Sequence, residues 1–202
     1  MRTYRRWFLT GAILLLLPLV IVNYARSNGD GDETKIRWDI ISVNFATGTL
    51  SAGGIASARA NDNSKLTLTG SGTFEPNDPE EVTGGGTWTT FNSSGATTGS
   101  GTYGVKRLVR WELAPGTPPL PNDNIANLAD NRAGLVVLRI RYSDGTQGIL
   151  VVSCHLVGTP DTVFEGITAS KGFVDYWNRE APPAPPGNAN RTTFHIVPEH
   201  ED

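Results

Sequence analysis

One six-residue phrase is written three times within a short stretch of this chain, and it limits the fold more than any other feature. The copies are Thr69-Gly70-Ser71-Gly72-Thr73-Phe74, Thr83-Gly84-Gly85-Gly86-Thr87-Trp88 and Thr98-Gly99-Ser100-Gly101-Thr102-Tyr103, at steps of 14 and 15 residues. A step of that length suits one strand plus one turn, so the repeats predict a β-meander. Glycines beside threonine and an aromatic residue favour strands that bend sharply or approach closely, as at the corners of a closed barrel.

Composition supports an all-β fold. The chain has 23 Gly and 13 Pro, with 38% hydrophobic and 18% charged residues, which is typical of a turn-rich protein. Residues 135–142 and 149–157 flank the turn Ser143-Asp144-Gly145-Thr146 and predict a hairpin, and residues 192–197 predict a last strand that closes the sheet. We expect an antiparallel β-barrel of about eight strands, with a β-sandwich as the alternative.

The N-terminus predicts export. Arg2, Arg5 and Arg6 precede an apolar run over residues 7–22, and no acidic residue occurs before Asp30. The positive-inside rule then places the N-terminus in the cytoplasm and the body outside, at the cell surface, in the periplasm or in the medium. We divide the chain into a signal peptide or membrane anchor (1–25), a linker (26–35), a single β domain (36–198) and a tail (199–202). Whether the leader is cleaved, and whether export uses the general or the twin-arginine route, stays open.

The net charge and the cysteine content limit which partners, disulfides and metal sites are compatible with this chain. Without the three leader arginines the body has 14 basic against 20 acidic residues, a net charge of about −6. This acidic net charge disfavours nucleic acid as a partner, because binding phosphates needs a basic surface. The lone Cys154 excludes an intramolecular disulfide and a thiolate zinc cage, and the three histidines lack metal-ligand spacing. We therefore predict no metal and no cofactor.

His155 and Glu165 are the candidate catalytic residues. Cys154 and His155 are neighbours in a predicted strand, so their side chains point to opposite faces and cannot pair as nucleophile and base. We expect Cys154 to be a core residue and keep His155 as a candidate base. Glu165 is a candidate counter-charge or acid–base partner.

Five residues are candidates for ligand binding. Arg139 and Arg141 share one face of a predicted strand. If that face lines the barrel interior, the two arginines form an anion site, for instance for a carboxylate; if it faces water, they only solubilise the protein. The aromatic side chains of Trp88, Tyr103 and Trp111 either line a pocket for an apolar ligand or a glycan, or fill the core.

A long loop is predicted between two of the strands. Residues 114–131 contain four prolines and several Asn and Asp residues. Loops of this length in compact domains are functional lids or simply mobile segments.

Residues 163–167 (Val-Phe-Glu-Gly-Ile) and 170–174 (Ser-Lys-Gly-Phe-Val) resemble the late strands of the allene oxide cyclase and dirigent barrels. The resemblance implies an eight-stranded antiparallel barrel with an apolar pocket that steers a reactive small molecule. It covers about a dozen residues, and none of the functional residues of those families can be matched.

Three functions follow as hypotheses. The first is an exported or membrane-tethered barrel that binds a small or extended ligand in a pocket of aromatics and one or two arginines, without a tight acid–base cluster. The second is a barrel isomerase or cyclase, which requires His155, Glu165, Arg139 and Arg141 to converge inside the barrel. The third is a structural envelope protein that acts through an exposed sheet edge and has no pocket.

Overall fold

Residues 34–198 are described by a computed structural model, and almost all of their regular structure is strand. The strands are β1 (Lys35–Asn44), β2 (Thr49–Ala52), β3 (Ala56–Arg59), β4 (Lys65–Leu68), β5 (Ser71–Glu75), β6 (Asp78–Val82), β7 (Gly85–Phe91), β8 (Thr97–Ala114), β9 (Asn122–Asp123), β10 (Asn131–Tyr142), β11 (Gln147–Cys154), β12 (Gly166–Lys171), β13 (Val174–Tyr176), β14 (Asn178–Arg179) and β15 (Arg191–Val197). A single 3₁₀ turn, Leu128–Asp130, is the one helical element in this range. The all-β prediction is confirmed.

Six strands close into an antiparallel barrel. β1 pairs with β15 and β5, β5 with β7, β7 with β8, β8 with β10, and β10 with β15, which returns the ring to its start. The predicted antiparallel barrel is therefore present, and the ring has six strands where about eight were expected. The last strand closes it, as the sequence predicted.

Two branches extend the ring. β10 is long enough to pair first with β15, through Asn131 and Arg132, and then with β11 along most of its length. β11 continues to β12 and β13, while on the other side β7 continues to β4, β3 and β14. The predicted hairpin is confirmed as β10 and β11, joined by a turn in which the Tyr142 N–H donates to the Thr146 carbonyl at 2.9 Å.

The glycine phrases lie where the ring strands cross most closely. A Cβ at Gly84, whose φ is +104°, would lie 2.2 Å from the Ser71 carbonyl oxygen, and one at Gly86 would lie 2.0 Å from that of Thr69. The threonines of the phrases join neighbouring strands, because the hydroxyls of Thr69 and Thr87 are 2.8 Å apart. Glycine thus permits the close approach that closes the barrel.

One continuous core fills the barrel and its branches. Its largest fully buried side chains include Trp38, Phe74, Tyr142 and Phe194, and Cys154 is buried among them as expected. Within the described range, the core residues all belong to one compact unit, Asp32–Asp202.

The proline-rich loop, residues 115–130, lies over the outer face of β1 and β2. Its side chains Leu120 and Ile125 pack on a second apolar cluster of Ile41, Val43 and Leu50. Its short strand β9 pairs in parallel with β2. The loop is thus a packed cover on that face of the barrel.

The predicted leader (1–25), most of the linker and the tail (199–202) lie outside the described residues. Within residues 34–198, no helix has the length and apolar character needed to cross a bilayer.

Candidate functional site

The outer face of β8, β10, β11 and β12 has an unusual composition. Along β10 the side chains of Val136, Leu138 and Ile140 are buried in the core, so the alternating residues point outward. Two of those outward residues, Leu135 and Val137, are apolar. The outward face of an exposed antiparallel sheet is ordinarily polar, so apolar residues here need a reason.

These residues form the floor of a groove of about 440 Å³, here called the outer groove. Cross-strand pairing assembles it: Val137 lies opposite Arg110 on β8 and opposite Val151 on β11. The residues that line the groove are Arg110, Leu135, Val137, Ile149, Val151, Phe164, Thr168, Ala169 and Trp177. Its size is within the range of about 300–1,000 Å³ that is usual for small-molecule sites.

The aromatic end of the groove is open to solvent. Trp177 is 69% exposed, and Phe164 is half-buried with the Arg179 guanidinium 5.6 Å above the centre of its ring. Phe173, at the turn before β13, is fully exposed. Large exposed apolar side chains next to a groove are a mark of interaction sites in soluble domains.

Cations surround this apolar floor. Arg139 lies opposite Ile149 on β11 and opposite Arg107 on β8. Arg107 and Arg110 form ion pairs with Glu80 and Glu112 respectively. No ion pair within residues 34–198 involves Arg139 or Arg141, and both side chains are exposed.

The arginine positions decide between the two alternatives for β10. An anion site inside the barrel required Arg139 and Arg141 to face the interior, but both face outward because Leu138, Ile140 and Tyr142 occupy the inward positions of β10. Both are solvent-facing residues. Arg139 lies beside the groove residue Ile149, whereas Arg141 lines a separate surface pocket with Tyr103 and Lys106.

The three candidate aromatics are core residues. Trp88 and Tyr103 are each 5% exposed, and each satisfies its polar atom on a backbone carbonyl: Trp88 Nε1 donates to Thr102 at 3.1 Å, and the Tyr103 hydroxyl donates to Thr69 at 2.8 Å. The Trp111 ring packs between Phe74 and Phe194 in tilted and edge-to-face contacts, with centroid distances of 5.2 and 4.7 Å. None of the three lines the outer groove, because their inward positions fill the barrel.

His155 and Glu165 lie together, beyond the end of β11. The Glu165 carboxylate accepts the backbone N–H of His155 and that of Thr192, each at 2.6 Å. The His155 ring donates from Nδ1 to the Val163 carbonyl at 2.7 Å, because a carbonyl can only accept, which leaves Nε2 as an acceptor in the neutral ring. Burial raises the pKa of Glu165 to about 7, although these two N–H donors and the Arg191 charge oppose the rise.

The four residues of the enzyme hypothesis do not converge inside the barrel. His155 and Glu165 contact each other at a strand end, whereas Arg139 and Arg141 lie on the outer face of β10. The arrangement is suited to holding a loop and a buried carboxyl group in place. Within residues 34–198, no group of three or more His, Cys, Asp or Glu side chains is placed to hold a metal ion.

Sequence reasoning missed the groove floor and a buried cluster under the proline-rich loop. The signal for the floor was present, because residues 135–138 and 149–152 are apolar on both alternating faces. In the buried cluster, His195 Nε2 lies 2.7 Å from Asp123 Oδ2, and both side chains are almost completely buried. No local pattern signals that contact, which joins residues 72 positions apart.

Comparison of the chain with protein-family models, with curated proteins and with solved structures found no match.

Proposed function

We propose that this protein is an exported or membrane-tethered binding module, and that its outer groove takes an amphipathic anion: an apolar body with one acidic group. The observation that carries the proposal is the apolar floor of Leu135, Val137, Ile149 and Val151 on an outward sheet face. Arg139, which forms no ion pair with any residue of 34–198, lies beside this floor.

Charge supports the anionic partner. The body has a net charge of about −6 by sequence count, yet Arg110 lines this groove, Arg139 lies beside its residue Ile149 and Arg179 lies over its residue Phe164. A local positive region on an acidic protein attracts anions and orients them as they approach. Because exposed ion pairs contribute only about 0–1 kcal/mol, the apolar floor must provide most of the affinity and the arginines mainly the orientation.

The other two hypotheses receive less support. A cyclase-like or isomerase enzyme needs His155, Glu165 and the two arginines around one reacting centre, and these groups are on different faces. A structural envelope role needs an exposed unpaired strand and no pocket, whereas the terminal strands β13 and β14 are only three and two residues long. The ligand-binding hypothesis named Trp88, Tyr103 and Trp111, which pack in or against the core. The outer groove supports a binding role through other aromatics, Phe164 and Trp177, with Arg139 beside it.

Binding of dodecanoate tests the proposal, with tryptophan fluorescence as the readout. Trp177 is exposed, whereas Trp38 and Trp88 are buried, so coverage of the groove shifts the emission of Trp177 to the blue. We expect saturable binding by the unit Asp32–Asp202. Affinity should fall from dodecanoate to octanoate by up to about fourfold per methylene, since each fully buried CH₂ is worth about 0.8 kcal/mol.

Variants localise the binding. Val137→Glu places a carboxylate in the floor and should weaken dodecanoate binding at least tenfold, and Arg139→Gln should weaken it by up to about fivefold. Lys65→Gln, on β4, removes a positive charge that lines no part of the groove and should leave the affinity unchanged. Equal affinity for dodecanoate and dodecyltrimethylammonium, or no effect of Val137→Glu, would refute the proposal.

The location is tested separately. We propose that residues 1–25 direct export and are either removed or kept as an anchor, with the N-terminus in the cytoplasm. Protease added to intact cells or spheroplasts should digest the barrel domain, and mass spectrometry of the purified protein's N-terminus distinguishes a cleaved leader from a retained one. A domain that becomes accessible only after lysis of spheroplasts would contradict export.

A further inference from the structure

The lysine and arginine side chains of residues 34–198 fall into two groups. Nearly all of them form an ion pair, a hydrogen bond or a contact with an aromatic ring inside the same range. Those that form none of these contacts within residues 34–198 are Lys106, Arg139 and Arg141, and all of them are exposed. A shortage of acidic side chains does not explain the free cations, because acidic residues outnumber basic ones in this chain.

The free cations lie side by side on β8 and β10. Arg139 and Arg141 share the outward face of β10, and strand pairing places Gly104 of β8 opposite Arg141. The register shifts next to Arg139, so Lys106 is an extra residue on β8, and its side chain also faces outward. Like charges on neighbouring strands repel each other, so the fold itself gains no stability from this cluster.

Arg141 and Lys106 line an open pocket of about 280 Å³, here called the turn pocket. The pocket has room because Gly104 has no side chain: the nearest atom to a Cβ built there is Lys106 Nζ, at 3.8 Å. The Lys106 ammonium group therefore lies near the glycine that faces Arg141, and both cations border the same space. The turn pocket shares no lining residue with the outer groove, so it is a separate site.

The turn after β10 adds a hydroxyl group to the pocket. Ser143 Oγ accepts the backbone N–H of Thr102 at 3.1 Å, and the Ser143 N–H donates to the Thr102 carbonyl at 2.8 Å, which fixes Ser143 against β8. The Ser143 hydroxyl proton has no acceptor among residues 34–198 and is free to donate. Asp144, in the same turn, is already paired with Lys171.

The chemistry of the ligand follows from these donors. A carboxylate has two oxygens and one charge, which a single guanidinium group can satisfy. A phosphomonoester has three acceptor oxygens and a charge of about −1.5 to −2 at pH 7, which matches a guanidinium group, an ammonium group and a hydroxyl group together. The volume of the turn pocket exceeds the roughly 150 Å³ of a cavity that accepts benzene, so a phosphate group and one sugar ring fit.

We infer that the turn pocket is a binding site for a small soluble phosphomonoester such as a hexose phosphate. The phosphate group lies between Arg141, Lys106 and the Ser143 hydroxyl, and the sugar ring points to the open side of the pocket. This ligand is polar throughout, so it differs from the amphipathic anion proposed for the outer groove.

Nuclear magnetic resonance of the ¹⁵N-labelled full-length chain at pH 7.5 tests the site, with glucose 6-phosphate as the probe. The reporters are the backbone amides of Thr102 and Ser143, which lie at the pocket wall. We expect saturable shifts with glucose 6-phosphate, binding weaker by about fivefold with the monoanion glucose 6-sulfate, and no shift with glucose. Glycerophosphoglycerol, a phosphodiester like those of lipid headgroups and cell-wall polymers, should bind at least fivefold more weakly because it has only two free phosphate oxygens.

Variants separate this site from general attraction of anions. Arg141→Gln should weaken glucose 6-phosphate binding about five- to tenfold, and Arg141→Lys should retain part of the affinity, because the charge remains but the guanidinium fork is lost. Gly104→Val keeps every charge and should abolish binding by filling the pocket, and it is compatible with the fold because Gly104 has no positive φ. Lys65→Gln, on β4, removes one charge away from the pocket and should leave the affinity unchanged.

Several results would overturn the inference: no saturable shift up to about 50 mM glucose 6-phosphate, equal affinity for the phosphodiester, or unchanged binding in Gly104→Val. Equal weakening by Arg141→Gln and Lys65→Gln would do so as well, since it would show attraction by net charge alone. Dodecanoate binding to the outer groove is measured separately, so either site can fail without the other.

Discussion

Replacing Glu165 by glutamine should remove much of the pH dependence of folding stability. The Glu165 carboxyl group lies between two backbone N–H donors, from His155 and Thr192, and burial raises its pKa to about 7 from an ordinary 4.5. In the unfolded chain the same group regains its ordinary pKa. The folded state therefore holds a proton that the unfolded state has already released between pH 4.5 and 7.

The sign and size of the effect follow from proton linkage. Where the native state binds more protons than the unfolded state, the free energy of unfolding falls as the pH rises, by about 1.4 kcal/mol per pH unit for one proton. Between pH 4.5 and 7 the raised pKa of Glu165 thus predicts a loss of about 3 kcal/mol, which levels off above pH 7. Burial also raises the pKa of Asp39, which acts in the same direction but contributes equally to the wild type and to the Glu165→Gln variant.

Urea unfolding of Asp32–Asp202 at pH 5, 6, 7 and 8, at constant ionic strength, measures this difference. In Glu165→Gln the side-chain NH₂ group faces one of the two backbone N–H groups, and two donors cannot hydrogen-bond to each other. The variant should therefore be less stable than the wild type at pH 5 by about 1–3 kcal/mol. By pH 8 the difference should shrink by about 3 kcal/mol or change sign. Stability curves that stay parallel from pH 5 to 8, or His155 and Thr192 amides that titrate near 4.5, would refute the argument.

Three further predictions concern the stability of the fold. Asp123→Ala should leave His195 without its buried partner, lower stability by about 2–4 kcal/mol and increase amide exchange in the proline-rich loop selectively. Gly84→Ala should prevent folding or cost more than about 3 kcal/mol in thermal unfolding, whereas Gly95→Ala, also at positive φ but with no atom within 4 Å, should cost about 1 kcal/mol. Leu138→Ala, in the core, should cost about 2–5 kcal/mol by urea unfolding, against less than about 1 kcal/mol for Leu135→Ala in the groove.

Local rules predicted the elements that depend on local chemistry. The turn at Gly145 has a φ of +89°, and the glycine phrases provide the close strand crossings expected from their composition. These features follow from φ preferences, side-chain size and alternation, which the sequence states directly.

Other features depended on contacts that spacing does not encode. Ala169, Ser170 and Lys171 have weak strand propensity, but all three belong to β12, and the turn falls at Gly172, where φ is +60°. Pairing with β11 and β13 keeps these small and polar residues extended, so tertiary context overrides their weak strand propensity.

The candidate sites show the same limit. His155 and Glu165 were chosen for their chemistry and do meet, but the contact runs through a backbone N–H and not through the imidazole ring. The small cavity beneath the proline-rich loop is lined by Leu120, Asn131 and Arg191, which come from three separate segments. Only the closed barrel brings these segments together, so no window of sequence contains all three.

The two outer faces of the barrel differ in what covers them, and this difference bears on function. The apolar side chains on the outer face of β1, including Ile41 and Val43, are covered by the proline-rich loop of the same chain. The apolar side chains Val137 and Val151 on the outer face of β10 and β11 have no such cover within residues 34–198, although their exposure is equally unfavourable in water. The open apolar face, with Arg110 in its lining and Arg139 beside it, therefore supports the proposal that a separate molecule binds there.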